Sequence, residues 1–182
     1  MMRTLFIGGV HGVGKSTACA QVANDLSCLH VRASDLIRQE RSNAIAKNGK
    51  LVEDVNGNQE LLLKAFDRLQ SSSMAQCILL DGHYALRDSS TNIQLLPVTL
   101  FQGLSLSGLV CLENDPAVIV KRIEARDRSS ISIEEVSELQ NAELEHAQTI
   151  SKALSLPLSI LRENELKNLL QLMIGQWLNI AV

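Results

Sequence analysis

Gly9, Gly12, Gly14, Lys15 and Ser16 sit in the stretch Gly9-Val10-His11-Gly12-Val13-Gly14-Lys15-Ser16, which fits G-x-x-x-x-G-K-(S/T) at every fixed position. The glycines let backbone amides turn inward and approach phosphate oxygens with no Cβ in the way. Lys15 supplies a mobile cation for β- and γ-phosphates, and Ser16 offers a hydroxyl to Mg²⁺. A helix starting here adds the positive end of its dipole. Val13 and Thr17 belong to the same binding stretch, and the whole segment is expected to hold a nucleoside triphosphate, ATP with Mg²⁺. His11 occupies a variable position and reads as a loop residue touching solvent or phosphate.

A second acidic element follows at Cys77-Ile78-Leu79-Leu80-Asp81, an apolar run ending in a carboxylate. Beside a phosphate loop, an Asp at such a strand end is expected near the metal; alone it would read as a turn residue before Gly82. His83, two residues on, reads equally as a contact to the acceptor or as a satisfied loop histidine. Phosphoryl transfer spreads negative charge over equatorial oxygens, so more cations than Lys15 are needed. The candidates are Arg38, one turn after Asp35; Arg87; and the run Arg122, Arg126 and Arg128, with Arg122 and Arg126 on one helix face. In isolation that run would be a solvated face paired with Glu124 and Asp127.

Five apolar runs must position these groups: Thr4 to Ile7, Leu29 to Val31, Cys77 to Leu80, Gly108 to Leu112 and Leu156 to Leu161. Most are continuous rather than alternating, as in parallel strands covered on both faces. Helical patterns separate them over Lys15 to Ser27, Pro116 to Arg126, Glu134 to Leu154 and Glu165 to Leu178. Asp115 before Pro116 is an N-cap and first-turn pair. Strand alternating with helix predicts an α/β fold, a parallel sheet with right-handed crossovers. Asp35 to Leu69 is a long, largely helical insertion with expected breaks at Asn48-Gly49 and Asn56-Gly57. Arg87 to Leu106 reads as loop followed by a short helix.

The chain has 182 residues, 46% hydrophobic and 20% charged, which suits one domain with an ordinary core. Aromatics at 3% leave no stacking platform for single-stranded nucleic acid, and a net charge of −3 argues further against nucleic-acid partners. No apolar run is long enough to span a bilayer. The four cysteines, Cys19, Cys28, Cys77 and Cys111, form no CxxC pair; two are placed in helix and two in strand, as reduced thiols of a cytoplasmic protein.

Taken together, these motifs resemble a P-loop nucleoside monophosphate kinase, with greatest similarity to archaeal-type adenylate kinases and their nuclear adenylate-kinase-like relatives, from about Arg3 to Met173. Ser34-Asp35-Leu36-Ile37-Arg38 resembles the segment whose arginine binds the acceptor phosphate, and Leu79-Leu80-Asp81-Gly82-His83 resembles an Asp-x-His strand end. Lys121 to Arg126 resembles the helix leading into a lid, here a short one over residues 127–134. The resemblance implies a P-loop NTPase three-layer fold, with five parallel strands ordered 2-3-1-4-5 and residues 35–69 as the acceptor insertion. It implies Lys15, Arg122, Arg126 and Arg128 in catalysis, Arg122 also on the nucleotide, and Ser16 and Asp81 at Mg²⁺. Asp35, Arg38, His83 and Arg87 would meet the acceptor, with AMP as its first form. One departure stands out: Glu134 to His146 holds no Arg or Lys where the family carries a further arginine, and Asn141 stands near that place.

Two other readings stay open. A hydroxyl-bearing acceptor would need Asp35 or Asp81 as base. An ATPase regulator would need a protein partner, for which no sequence patch speaks.

Overall fold

The computed structural model describes residues 2–48, 55–88, 90–127 and 130–178. Five strands form a parallel sheet: β1 (Arg3–Gly8), β2 (Leu29–Arg32), β3 (Cys77–Asp81), β6 (Gly108–Glu113) and β7 (Leu158–Arg162). Between β3 and β6, β4 (Ala85–Arg87) and β5 (Ile93–Leu95) make a separate antiparallel hairpin. The sheet order is β2-β3-β1-β6-β7. Counting sheet strands alone, this is the expected 2-3-1-4-5; the unexpected hairpin shifts the numbering.

The helices are α1 (Lys15–Leu26), α2 (Ala33–Asn48), α3 (Val55–Ser72), α4 (Val98–Gly103), α5 (Pro116–Asp127), α6 (Ile133–Leu154) and α7 (Glu163–Leu178). They cover the sheet on both faces, and strand alternation shows which residues go where. Leu5, Ile7, Leu79, Val110 and Leu112 pack on one side with residues of α1, α5 and α7. Phe6, Ile78, Leu80, Leu109 and Cys111 pack on the other with residues of α2, α3, α4 and α6. Burial on both faces explains the continuous apolar runs.

Local signals set several boundaries. Asp115 Oδ1 accepts from Ala117 N at 2.8 Å, opening α5 as expected. Ser132 and Glu135 exchange side-chain and backbone hydrogen bonds at the start of α6, a full capping box. β7 begins at Leu158 rather than Leu156 because Pro157 has no N–H for the ladder; its carbonyl accepts from Leu109 N at 2.9 Å.

Two expectations need correction, while the expected breaks in the insertion agree with its two helices. Asn56-Gly57 falls in the first turn of α3, which starts at Val55 and buries Leu62, Ala65 and Phe66. The break at Asn48-Gly49 agrees with the end of α2, while Gly49 itself lies outside the described residues. The loop expected after Arg87 is the β4–β5 hairpin, whose turn is organised by Asp88: its Oδ1 accepts from Ser90 N at 2.8 Å and Asn92 N at 2.9 Å. Cys28, placed in helix from sequence, stands at the entry to β2; all four cysteines are free thiols. No helix among the described residues is long and apolar enough to cross a membrane.

Candidate functional site

The loop between β1 and α1 opens on a cleft of about 790 Å³. Gly9 has φ +136°, and a Cβ there would lie 2.6 Å from Leu112 O. Gly12 has φ +82°, and a Cβ there would come within 2.9 Å of Ile123. Both the left-handed backbone and the close approach of β6 and α5 thus require glycine. Val13 is fully buried in the core. Gly12, Gly14, Lys15, Ser16 and Thr17 line the cleft.

Lys15 is only 6% exposed. Its ammonium donates to Gly9 O at 2.5 Å and Val10 O at 3.2 Å, folding back over its own loop. Burial pushes its pKa below the ordinary lysine value, opposed by the charges of Asp81 and Glu143. Ser16 Oγ donates to Asp81 Oδ2 at 2.5 Å. Burial would raise the Asp81 pKa, but the His30 imidazole, the Lys15 ammonium and the Ser16 hydroxyl together hold it below the usual carboxylate value. The His30 contact is an approach rather than a bond, with Nε2 3.6 Å from Asp81 Oδ2 and without a hydrogen-bond partner.

Ser16 and Asp81 therefore offer two adjoining hard oxygens at the mouth of the loop. Among the described residues no group of three His, Cys, Asp or Glu is placed to hold a metal. That donor set fits Mg²⁺, which binds through one or two protein oxygens and completes its shell with phosphate and water.

α5 brings two arginines to the same end. Arg122 Nη1 donates to Val13 O at 3.1 Å and reaches the loop from above. Arg126 also lines the cleft, but its guanidinium is held by Asp127 through bonds of 2.7 and 2.6 Å. His11 Nε2 lies 3.4 Å from Asp127 Oδ2. Burial and the Arg126 charge lower the His11 pKa. Arg128, and the part of residues 127–134 that contains it, lie outside the described residues.

At the other end the sequence expectation changes. Arg38 and Arg87 were expected to converge on one pocket, and they do not. Arg38 is 73% exposed and pairs with Asp35 at 2.8 Å. Arg87 is drawn to α6, where it bonds Glu138 Oε2 at 2.6 Å and Glu135 O at 3.1 Å, and it fixes the hairpin through Thr91 O. Asp35 is itself engaged by Arg32 at 2.6 Å. Arg32, Ile37, Asn58, Leu62, Leu96 and Leu100 are among the residues that wall this half of the cleft. Asn141 is exposed on α6 and is not part of the wall.

His83 does face the cleft, and a residue absent from the sequence expectations orients it. Glu143 of α6 is fully buried; its Oε1 lies 2.8 Å from His83 Nδ1 and its Oε2 accepts from Tyr84 N at 2.6 Å. The signal was available: Glu143 is a charged residue on the helix face that carries Val136, Ala147 and Ile150 into the core. Arg32 and Asn58 carried no comparable signal.

The parallel sheet with a glycine-rich loop leaving its central strand and cupping a helix N-terminus defines a P-loop kinase-type fold. A family model described as "AAA domain" matches residues 8–140, and the chain belongs to that family. Its relatives include nucleoside monophosphate kinases, as the motif resemblance led us to expect. The chain is 27% identical to the UMP-CMP kinase of Gallus gallus, over 69% of this chain and 68% of that protein. It is 29% identical to the adenylate kinase of Streptococcus pyogenes serotype M5 (strain Manfredo), over 67% of this chain and 59% of that protein. Shikimate kinase from Acinetobacter baumannii in complex with shikimate superposes with a TM-score of 0.58 at 13% identity, covering 98% of this chain and 94% of that one, a likeness of fold.

Proposed function

We propose that the chain transfers the γ-phosphoryl group of ATP to a nucleoside monophosphate, with AMP as the first acceptor to test. The observation that carries this reading is one cleft that joins the Lys15, Ser16 and Asp81 end to a largely apolar chamber with Arg32 in its wall. The nucleoside monophosphate kinases among its relatives support the acceptor class.

In this reading the loop amides and Lys15 hold the β- and γ-phosphates, so Lys15 leaves the Gly9 and Val10 carbonyls for phosphate oxygens. Ser16 and Asp81 would hold Mg²⁺, which supplies charge neutralisation on the transferred group. Arg122 and Arg126 close on the phosphates from α5, Arg126 exchanging Asp127 for the nucleotide. The acceptor phosphate takes the place of Asp35 on Arg32 and Arg38, while the base lies against Ile37, Leu62 and Leu100. An ionised phosphate oxygen is already a nucleophile, so positioning and charge suffice.

A second reading rests on His83. Held by Glu143 through Nδ1, the ring can present Nε2 to the cleft as a proton acceptor for a hydroxyl-bearing substrate. This base replaces Asp35, which is occupied by two arginines. Labelled ATP with a panel of monophosphates, nucleosides and small alcohols separates the two. A labelled nucleoside diphosphate establishes the first, a labelled phosphate monoester the second, and release of phosphate alone with every acceptor overturns both.

A further inference from the structure

Two thiols stand side by side at the far end of the sheet from the phosphate loop. Parallel pairing sets Leu29 against Ile78 and His30 against Leu79. One residue earlier, Cys28 just before β2 therefore comes opposite Cys77, the first residue of β3. Neighbouring strands lie about 4.8 Å apart, within the Cα separation of roughly 4.4–6.8 Å that a disulfide accepts. Packing places both side chains on one face: Cys77 belongs to the core layer with Leu5 and Leu79, and Cys28 packs against that layer. Leu29 and Ile78 pack on the opposite face. Cys28 is partly exposed and Cys77 is 2% exposed.

The pair is chemically unequal. The neighbouring Cys77 thiol draws the Cys28 pKa down against the effect of burial. The nearness of Cys28, with burial, pushes Cys77 up. The accessible sulfur is thus the better nucleophile, and its partner is already in place. Cys19 and Cys111 are buried elsewhere, and burial pushes Cys111 up to about 12.

We propose that Cys28 and Cys77 form an oxidisable dithiol, which a hydroperoxide converts to a disulfide joining the starts of β2 and β3. The Cys28 thiolate attacks the peroxide; an S–O bond forms, the O–O bond breaks, and water or an alcohol leaves, giving the sulfenic acid. Cys77 sulfur then attacks Cys28 sulfur; the S–S bond forms, the S–O bond breaks, and the Cys77 proton departs with hydroxide as water. Each cysteine is oxidised by one electron and the peroxide is reduced by two. The bond would tether the strand whose other end carries Arg32, and it is independent of which acceptor the cleft takes.

The test treats the folded full chain with hydrogen peroxide, alkylates remaining thiols and maps peptides by mass spectrometry. The expected product is a cross-link between the peptides of Cys28 and Cys77, two hydrogens lighter than the reduced pair and reversed by dithiothreitol. It should persist in Cys19→Ser and vanish in Cys28→Ser. Sulfinic acid at Cys28 without a cross-link, a bond through Cys19 or Cys111, or four unreacted thiols would each overturn the proposal.

Discussion

Glu143, fully buried on α6, holds His83 by a 2.8 Å contact between its Oε1 and the ring Nδ1. Its other oxygen takes the Tyr84 backbone N–H at 2.6 Å, so one side chain secures two consecutive residues of the segment after β3. Glu143→Ala leaves a buried N–H without a partner and should destabilise the fold by about 1–3 kcal/mol. Chemical denaturation measures this directly. Glu143→Gln, which keeps an acceptor, should lose less. An unchanged unfolding midpoint in Glu143→Ala would show that the contact contributes nothing to stability.

Lys15→Met should reduce transfer from labelled ATP by about 10²–10³-fold, the effect of removing one preorganised donor from developing phosphate charge. Stability should hold or rise, because an ammonium only 6% exposed is replaced by an apolar side chain of similar length. Retained transfer with intact circular dichroism would remove Lys15 from the mechanism.

Arg32→Ala and Arg87→Ala should separate. Arg32 lines the cleft, so its loss should raise the KM for the acceptor roughly tenfold or more with the KM for ATP little changed. Arg87 binds Thr91 O, Glu135 O and Glu138, so its loss should lower the unfolding midpoint and leave acceptor KM nearly constant. The reverse pattern in steady-state kinetics and thermal melts would restore Arg87 to the acceptor site.

The phosphate-loop half of this cleft was legible because its sequence signal is local. A loop of nine consecutive residues carries glycines, lysine and serine at fixed spacing, and the strand before it is buried on both faces. Asp81 was legible for a similar reason, since it ends an apolar run. The rest of the cleft depends on contacts between residues far apart in sequence. Whether Arg87 turns to the cleft or to Glu138, 51 residues later, is decided by the docking of the hairpin on α6. The hairpin carries no sequence signal, because three-residue strands are too short to show alternation and Leu86 and Leu95 are left exposed.

Asp81 gives stability a defined pH dependence. Its folded pKa lies below the unfolded value of about 3.9, so between the two values the unfolded chain binds more protons and stability rises with pH. The contribution is complete above the unfolded value and is lost as pH falls through the folded one. Urea midpoints from about pH 6 down to about pH 2 should therefore fall more steeply for the native chain than for Asp81→Asn. Parallel curves would show that Asp81 is not held in its ionised form by the fold.

Phe6 is 2% exposed, yet its ring is part of the cleft wall. The same ring packs against Tyr84 at 5.0 Å and Phe101 at 5.1 Å between centroids. The Tyr84 backbone is in turn the group that Glu143 secures beside His83. The floor of the cleft is thus also the roof of the hydrophobic interior. Leu62 of α3 and Leu100 of α4 likewise serve both the cleft and the core, so a substitution that reshapes what the cleft admits also disturbs the packing that keeps the protein folded.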